Sequence, residues 1–379
     1  KKLTCEHLWR EARTKNNCSI IEKDFNDLLD LVHEEASQLS YATNLTPYDS
    51  LISKYDIDYD SVKIDEVFSI IDKEIIPKYK NIQKIKSPFI YKSDISDAKI
   101  IKEIKIKLQQ LNFDFDRGRI DQSHHPFCGG ATNDVRITTR FEENILESLS
   151  ALFHETGHGV YEQNRPIQYL YEPLGQSRSL SVHESQSLFF ENHIFKSQNY
   201  FKIINTIFDN SKDLEKSFLE HYHTVRINPI RVSADEFSYP IHVFIRYQIE
   251  KEIFKNKIKF KDIKDLWNKK YLDHLEIDLI SDSEGVLQDI HWYEGIFGYF
   301  PTYALGAMIA SQIKYNCPLF DIFLKNPDEE NIKQLIIWLN NNIHQKASLY
   351  SSDEMLQSIS GEKLNSKYYL EHLVDRFVK

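Results

Sequence analysis

Glycine and proline are scarce, with 11 of each in 379 residues. A fold of many short strands needs turn formers at close intervals, so the shortage favours long helices. Long apolar runs are missing too. No stretch of 18 apolar residues occurs, and no membrane span is expected. The opening residues, Lys1-Lys2-Leu3-Thr4-Cys5-Glu6, are charged and lead into no apolar stretch, so no secretory signal is expected either. They also do not begin with Met, which reads as a fragment or a processed product. Positive charge is outnumbered: 47 Lys+Arg face 57 Asp+Glu, for a net charge of −10. A nucleic-acid-binding domain would normally be basic, so no nucleic-acid partner is expected. The four cysteines, Cys5, Cys18, Cys128 and Cys317, form no Cys-x-x-Cys pair. They read as free thiols in a reducing cytosol, and a cytoplasmic location is expected. Internal repeats and low-complexity tracts are absent as well.

What is present is ordinary for a soluble globular protein, with 41% hydrophobic and 27% charged residues. Aromatic residues reach 13%, enough for a large core and an aromatic-lined cleft. The length suits one large domain or two smaller ones. Apolar spacing predicts helices over 3–15 and 23–41, the second with Leu28, Leu29, Val32, Ala36 and Leu39 as its stripe. Thr46 and Pro47 read as the cap and first residue of another. Helical spacing continues over 63–85, which Pro77 breaks or kinks, and over 96–112. These segments carry no motif and read as scaffold. The pattern then changes. Phe113-Asp114-Phe115-Asp116 and Asp134 to Arg140 alternate and read as strands of a small sheet, with Cys128-Gly129-Gly130 as a turn. Further helices are expected from about Ser181, over 238–254, in the later part of the aromatic stretch 284–315, and over 328–348 and 353–379.

The small sheet leads straight into Asn144 to Phe153, whose apolar residues recur at helical spacing. This helix carries His154-Glu155-Thr156-Gly157-His158. Positions i and i+4 share one helix face, so both imidazoles can bind one zinc ion. The glutamate at i+1 then stands beside the ion, where a base must deprotonate water. Such a pentad arises by chance in about one chain in twenty of this make-up, so the rest of the chain has to support it. A zinc hydrolase needs three protein ligands and one open position. Glu184, 30 residues beyond His154, is the best third ligand, on a second antiparallel helix. The competing reading makes it the glutamate of a capping box with Ser181. Glu191 and Glu162 are rivals for the ligand role.

With these residues in view, the chain resembles the carboxypeptidase Taq family of metallocarboxypeptidases. His154-Glu155-x-x-His158 is followed by His183-Glu184-Ser185-Gln186, as in that family. Four further family motifs stand in order: His125-Pro126-Phe127; Asp134-Val135-Arg136-Ile137-Thr138; Ile230-Arg231-Val232-Ser233-Ala234-Asp235; and Gly285 to Trp292, with Gln288, Asp289 and His291 inside it. The likeness runs from about Trp9 to the C-terminal tail. It implies a mainly α, zincin-type peptidase with a deep cleft and one small β-sheet beside the active-site helix. It implies a homodimer that removes single C-terminal residues from peptides with broad specificity. The metal is usually zinc, with cobalt active in some members. The ligands carried over are His154, His158 and Glu184, and the base is Glu155. The organisation implied is one domain over 1–379, with a helical scaffold at 1–112, metal site and cleft at 113–315, and closing helices at 316–379. Family members usually carry a further N-terminal helical segment, and this chain reads as starting inside that region. A truncated, weakly active or inactive peptide-binding homologue is the alternative.

In the expected chemistry, Glu155 takes a proton from metal-activated water and delivers it to the leaving amine. The oxyanion needs a donor besides the metal. His291, Tyr299 and Tyr303 are candidates, His291 foremost because the family motif includes it; core packing is the competing reading for the tyrosines. An exopeptidase must also hold a free carboxylate, which a guanidinium does bidentately. Arg231, set between Ile230 and Val232, is first choice and Arg136 second. The competing reading pairs Arg231 with Asp235 and Arg136 with Asp134. Asp134 and Asp235 are alternatively groups that orient ligating histidines. His125 and His183 are expected to shape the pocket. The partners expected are peptides with a free C-terminal carboxylate.

Overall fold

The structure, a computed structural model, describes residues 1–123, 126–140 and 144–378. Its contacts divide the chain into two compact units. One holds Lys1–Ser87, Thr224–Ala304 and Leu373–Lys379; the other holds Pro88–His223 and Leu305–His372. Helices dominate, and among the described residues none is long and apolar enough to cross a membrane.

The first unit opens with α1 (Lys2–Thr14), which buries Cys5, Trp9 and Ala12 on one face. The Trp9 Nε1 donates to the Leu287 carbonyl at 2.9 Å. Helix α2 (Glu22–Thr43) buries Phe25, Leu28, Leu29, Val32 and Ala36, the expected stripe less Leu39. Thr46 caps α3 (Pro47–Ile52), accepting from the Asp49 N–H, with proline in the first turn as expected. Pro77 does not break its segment. A π-helical turn (Ile71–Ile75) joins α4 (Ser61–Ile70) to α5 (Ile76–Asn81), and Pro77 falls in the first turn after it. There the regular ladder is already interrupted, so the missing N–H leaves little unsatisfied. The helix ends at Asn81 rather than residue 85, because β1 (Lys84–Ile85) pairs in parallel with Val225–Arg226.

The second unit begins with α6 (Asp97–Gln110), which buries Ile100, Ile104 and Leu108. Its sheet differs from the expected one. Phe113 to Asp116 form no strand. The Asp114 side chain accepts from the Asp116 N–H, and the Gln163 amide satisfies the Asp114 backbone on both sides, at 2.9 and 2.8 Å. An Asx-turn held by a distant side chain thus replaces a ladder. The strands are β2 (Gly118–Gln122), β3 (Phe127–Ala131) and β4 (Asp134–Thr139), in the order β2-β4-β3. The first pair is parallel and the second antiparallel. Cys128-Gly129-Gly130 is therefore strand, not turn. Gly130 has φ +104°, and a Cβ there would stand 2.1 Å from the Asp134 carbonyl. Val135, Ile137 and Thr139 alternate inward along β4.

That inward face meets α7 (Ile145–Gln163), the helix of the His-Glu-x-x-His pentad, with Ile137 and Phe113 against Gly159. Then come α8 (Leu180–Leu188), a π-helical turn (Phe189–Phe195), α9 (Gln198–Asn205) and α10 (Lys212–Tyr222). After β5 (Val225–Arg226), α11 (Tyr239–Asn256) and α12 (Phe260–Leu275) return to the first unit. Helix α13 (Pro301–Asn316) crosses into the second, which continues with α14 (Phe320–Lys325), α15 (Glu329–Asn342) and α16 (Ser352–Ser360). The expected single C-terminal helix is two, because Gly361 at φ +77° ends α16 before α17 (Lys367–Phe377).

Candidate metal centre

His154 and His158 stand one turn apart on α7, with ring centroids 4.9 Å apart and planes at 86°. Helix α8 brings Glu184 to them. The Glu184 Oε2 lies 3.4 Å from the His158 Nε2 and 3.7 Å from the His154 Nε2. Among the described residues, these three form the one cluster of His, Cys, Asp and Glu whose ligand atoms all meet within 4.8 Å. The two helices come this close because residue 157 is glycine: a Cβ there would sit 2.4 Å from the Gln186 carbonyl oxygen. Helix α8 begins one residue earlier than expected. Ser179, not Ser181, caps it by accepting from the Val182 N–H, so Glu184 is not the glutamate of a Ser181 capping box.

The donor set suits a divalent ion. Two ligand atoms on a tetrahedral zinc stand about 3.3 Å apart, given zinc–ligand distances of about 2.0–2.1 Å. The separations of 3.4 and 3.7 Å are near that value. The outer nitrogen of His154 is also committed, because its Nδ1 lies 2.9 Å from the Glu191 Oε2. With Nδ1 taken by Glu191, Nε2 is the ring nitrogen turned toward Glu184 and the one a metal ion would displace a proton from. Glu191 in turn accepts from Ser150 Oγ at 2.7 Å and Lys196 Nζ at 2.8 Å. Burial alone would raise its pKa, but Lys196 and His154 outweigh it and hold the carboxyl well below the usual range. Glu162 is engaged as well, by the His183 Nε2 at 2.8 Å and the Arg165 Nη2 at 2.6 Å. Both rivals to Glu184 are thus occupied. His183 lies beside His158, with ring centroids 4.5 Å apart. His125 lies outside the described residues.

The environment treats the two histidines differently. At His154, burial is outweighed by Glu184, Glu191 and Glu155, and the pKa rises to about 10. At His158, burial with the neighbouring histidines lowers it to about 4. Between them, Glu155 is 8% exposed, and burial, with Glu184 and Glu191 adding, raises its pKa to about 7.

The remaining candidates divide between the units. Arg136 in the second unit is more than half exposed on β4 and pairs with Asp134 through Nε and Nη2, at 3.2 and 2.8 Å. In the first unit, Arg231 is buried. Its Nε and Nη2 donate to the Asp289 Oδ1 at 3.1 and 2.8 Å, and its Nη1 donates to the Tyr239 hydroxyl at 2.9 Å. The partner is Asp289, not Asp235. Asp235 instead accepts from the backbone N–H groups of Arg226, Phe237 and Ser238, where α11 begins. A second buried guanidinium, Arg246, shares Asp289 through Oδ2 at 2.7 Å. His291 lies in the same cluster, its Nε2 3.3 Å from the Tyr303 hydroxyl and its ring 5.4 Å from that of Tyr299. Burial, with Arg231, lowers its pKa to about 4.

Sequence reasoning missed Arg246 and the service of Glu191 to His154. Each left a signal. Arg246 interrupts the apolar run Val243-Phe244-Ile245, and Glu191 follows Glu184 by seven residues, two turns along one face.

A family model described as carboxypeptidase Taq (M32) metallopeptidase matches residues 1–377. The chain is 34% identical to carboxypeptidase 1 of Bacillus subtilis, over 98% of this chain and 76% of that one. It is 30% identical to thermostable carboxypeptidase 1 of Pyrococcus furiosus, over the same shares. Its fold is similar to that of Trypanosoma cruzi metallocarboxypeptidase 1, with a TM-score of 0.90 and 31% identity over 100% of this chain and 79% of that one.

Proposed function

The chain belongs to the carboxypeptidase Taq (M32) family and is a metal-dependent carboxypeptidase, a peptide hydrolase; from that premise we propose that it removes C-terminal residues from peptides of varied sequence, with Glu155 as general base. The observation that carries this reading is the meeting of His154, His158 and Glu184 within 4.8 Å, with buried Glu155 at the next position on α7. His154, His158 and Glu184 would hold a zinc ion, or cobalt in its place, which when bound would supply Lewis acidity to a water and to the scissile carbonyl. Glu155 takes the proton on its carboxylate and returns it to the leaving amine. A carboxyl held near neutral pKa by burial suits both transfers. Glu191, tied down by Lys196 and Ser150, keeps the His154 ring turned with Nε2 inward. His291, Tyr299 and Tyr303 are the donors proposed for the oxyanion.

Arg231 is the anchor proposed for the substrate carboxylate, in preference to Arg136. Three of its five donors are used by Asp289 and Tyr239, which leaves two for a ligand. Arg231 and Arg246 also share one carboxylate, and the surplus positive charge favours an anion. Arg136 is already satisfied by Asp134. The four free thiols fit a reducing compartment and support a cytoplasmic location. A homodimer belongs to the same proposal and is read by light scattering.

The test combines metal analysis with cleavage of one peptide series bearing free or amidated C-termini. The free-acid peptides should be trimmed from the end and the amides resist, because an amide leaves the arginine without its partner. Equal cleavage of both forms by the wild type, or an unchanged preference in Arg231→Ala, would remove Arg231 from the anchoring role.

A further inference from the structure

Helix α8 is pinched between two glycines. On one side Gly157 of α7 faces its backbone, with a Cβ position only 2.4 Å from the Gln186 carbonyl oxygen and 2.7 Å from the Ser187 Cα. On the other side stands Gly306, in α13. A Cβ there would lie 2.8 Å from both Cβ and Cγ of Glu184, and 3.2 Å from the Ser181 carbonyl. These are the root atoms of the Glu184 side chain, not its flexible end. Rotation about the outer torsions moves neither of them, and rotation about the first moves only Cγ. A methyl group at position 306 therefore has two outcomes. Either the backbones of α8 and α13 part, carrying Glu184 with α8, or they part less and Glu184 also turns about its first torsion; each moves its Oε2 from its place 3.4 Å from the His158 Nε2.

We infer that Gly306 is a positioning residue for the cation centre: its missing side chain sets the depth and rotamer of Glu184. The inference rests on reading Glu184 as the third ligand. Gly306 lies inside a helix, where alanine is the better helix former. Propensity alone would make Gly306→Ala neutral or stabilising, so a loss at the metal site has to come through Glu184.

The experiment measures zinc affinity by competition with a chromophoric chelator on the full chain. It compares the wild type, Gly306→Ala, Glu184→Ala and the double variant, with folding followed by circular dichroism. Gly306→Ala should weaken zinc binding by about 10–100-fold, the usual range for groups that orient a ligand. Glu184→Ala should weaken it at least as much, and the double variant no further. Zinc binding by Gly306→Ala at wild-type affinity overturns the inference. Losses that multiply in the double variant also overturn it, because the glycine would then act on packing at large. If Glu184→Ala itself binds like the wild type, the ligand reading fails and the inference with it, an outcome visible without the Gly306 variant. Should Gly306→Ala not fold, adding Glu184→Gly removes both crowded carbons. Recovery of folding then places the clash at Glu184, and failure to recover overturns the inference.

Discussion

Glu250→Gln should change how stability depends on pH, and the structure sets the size and sign. Glu250 is fully buried in α11, and its carboxylate accepts from Trp292 Nε1 at 2.6 Å, Tyr48 OH at 2.8 Å and Gly298 N at 2.9 Å. These bonds tie down the segment that carries His291 and Tyr299. Burial raises the Glu250 pKa from 4.5 to about 7, and the three donors offset it only in part. Between those values the folded protein keeps a proton that the unfolded chain has released. Raising the pH through this window therefore costs stability, at about 1.4 kcal/mol per pH unit and about 3 kcal/mol in all. Below the window the term vanishes, and above it the full cost is in place. Glutamine cannot ionise and has no such slope. Its amide N–H₂ meets one of the three donors head-on, at about 1–3 kcal/mol, a mismatch that the protonated carboxyl shares. The deficit of the variant should thus be smallest at the alkaline end, or reverse there. Urea unfolding of both proteins, stepped from about pH 4.5 to about pH 8, gives the difference, and subtraction removes the other titrating groups. A stability gap that stays constant with pH would refute the reasoning. It would mean that the donors outweigh burial and Glu250 ionises near its ordinary pKa.

Glu155→Gln should keep the metal and lose about 10²–10⁴-fold in turnover, read by metal analysis beside initial rates; substantial residual activity removes Glu155 as the base. Glu191→Ala should weaken zinc binding by about 10–100-fold, because the His154 Nδ1 loses its acceptor, and should also destabilise the fold by leaving the Lys196 ammonium without Glu191 in a buried site. Chelator competition and thermal melting check the two effects, and unchanged zinc affinity would show that the His154 orientation does not depend on Glu191.

The meeting of His154, His158 and Glu184 was legible because helix periodicity is a local rule. Spacing alone puts His154 and His158 on one face, and the need for a third ligand points onward to Glu184. The arginine partnership was harder to read. Asp235 is four residues from Arg231 and looks like its mate, whereas the actual mate, Asp289, is 58 residues away. Only tertiary packing chooses between them. Phe113 to Asp116 misled for a similar reason. Its alternation suits a strand, but Gln163, 49 residues on, takes the backbone bonds of Asp114 that a ladder would have used. Pro77 misled because a π-helical turn cannot be foreseen from propensity. The two glycines around α8 carried no sequence signal of their own, since a glycine shows what it makes room for only once its neighbour is in place.

The interleaving of the two units bears on the order of folding. Residues 88–223 interrupt the first unit, whose Trp9–Leu287 bond joins residues 278 apart. Neither unit can be completed until most of the chain has left the ribosome, and contacts of such long range slow folding. The helical pair α7 and α8 is different, because it is local and available early. Gly306 emerges 122 residues after Glu184. The two histidines and their glutamate can therefore meet during synthesis, but the helix that fixes the glutamate docks only later. Pulse-labelled hydrogen exchange during refolding should find the α7 and α8 amides protected before those of α1, and the reverse order would contradict this sequence of events.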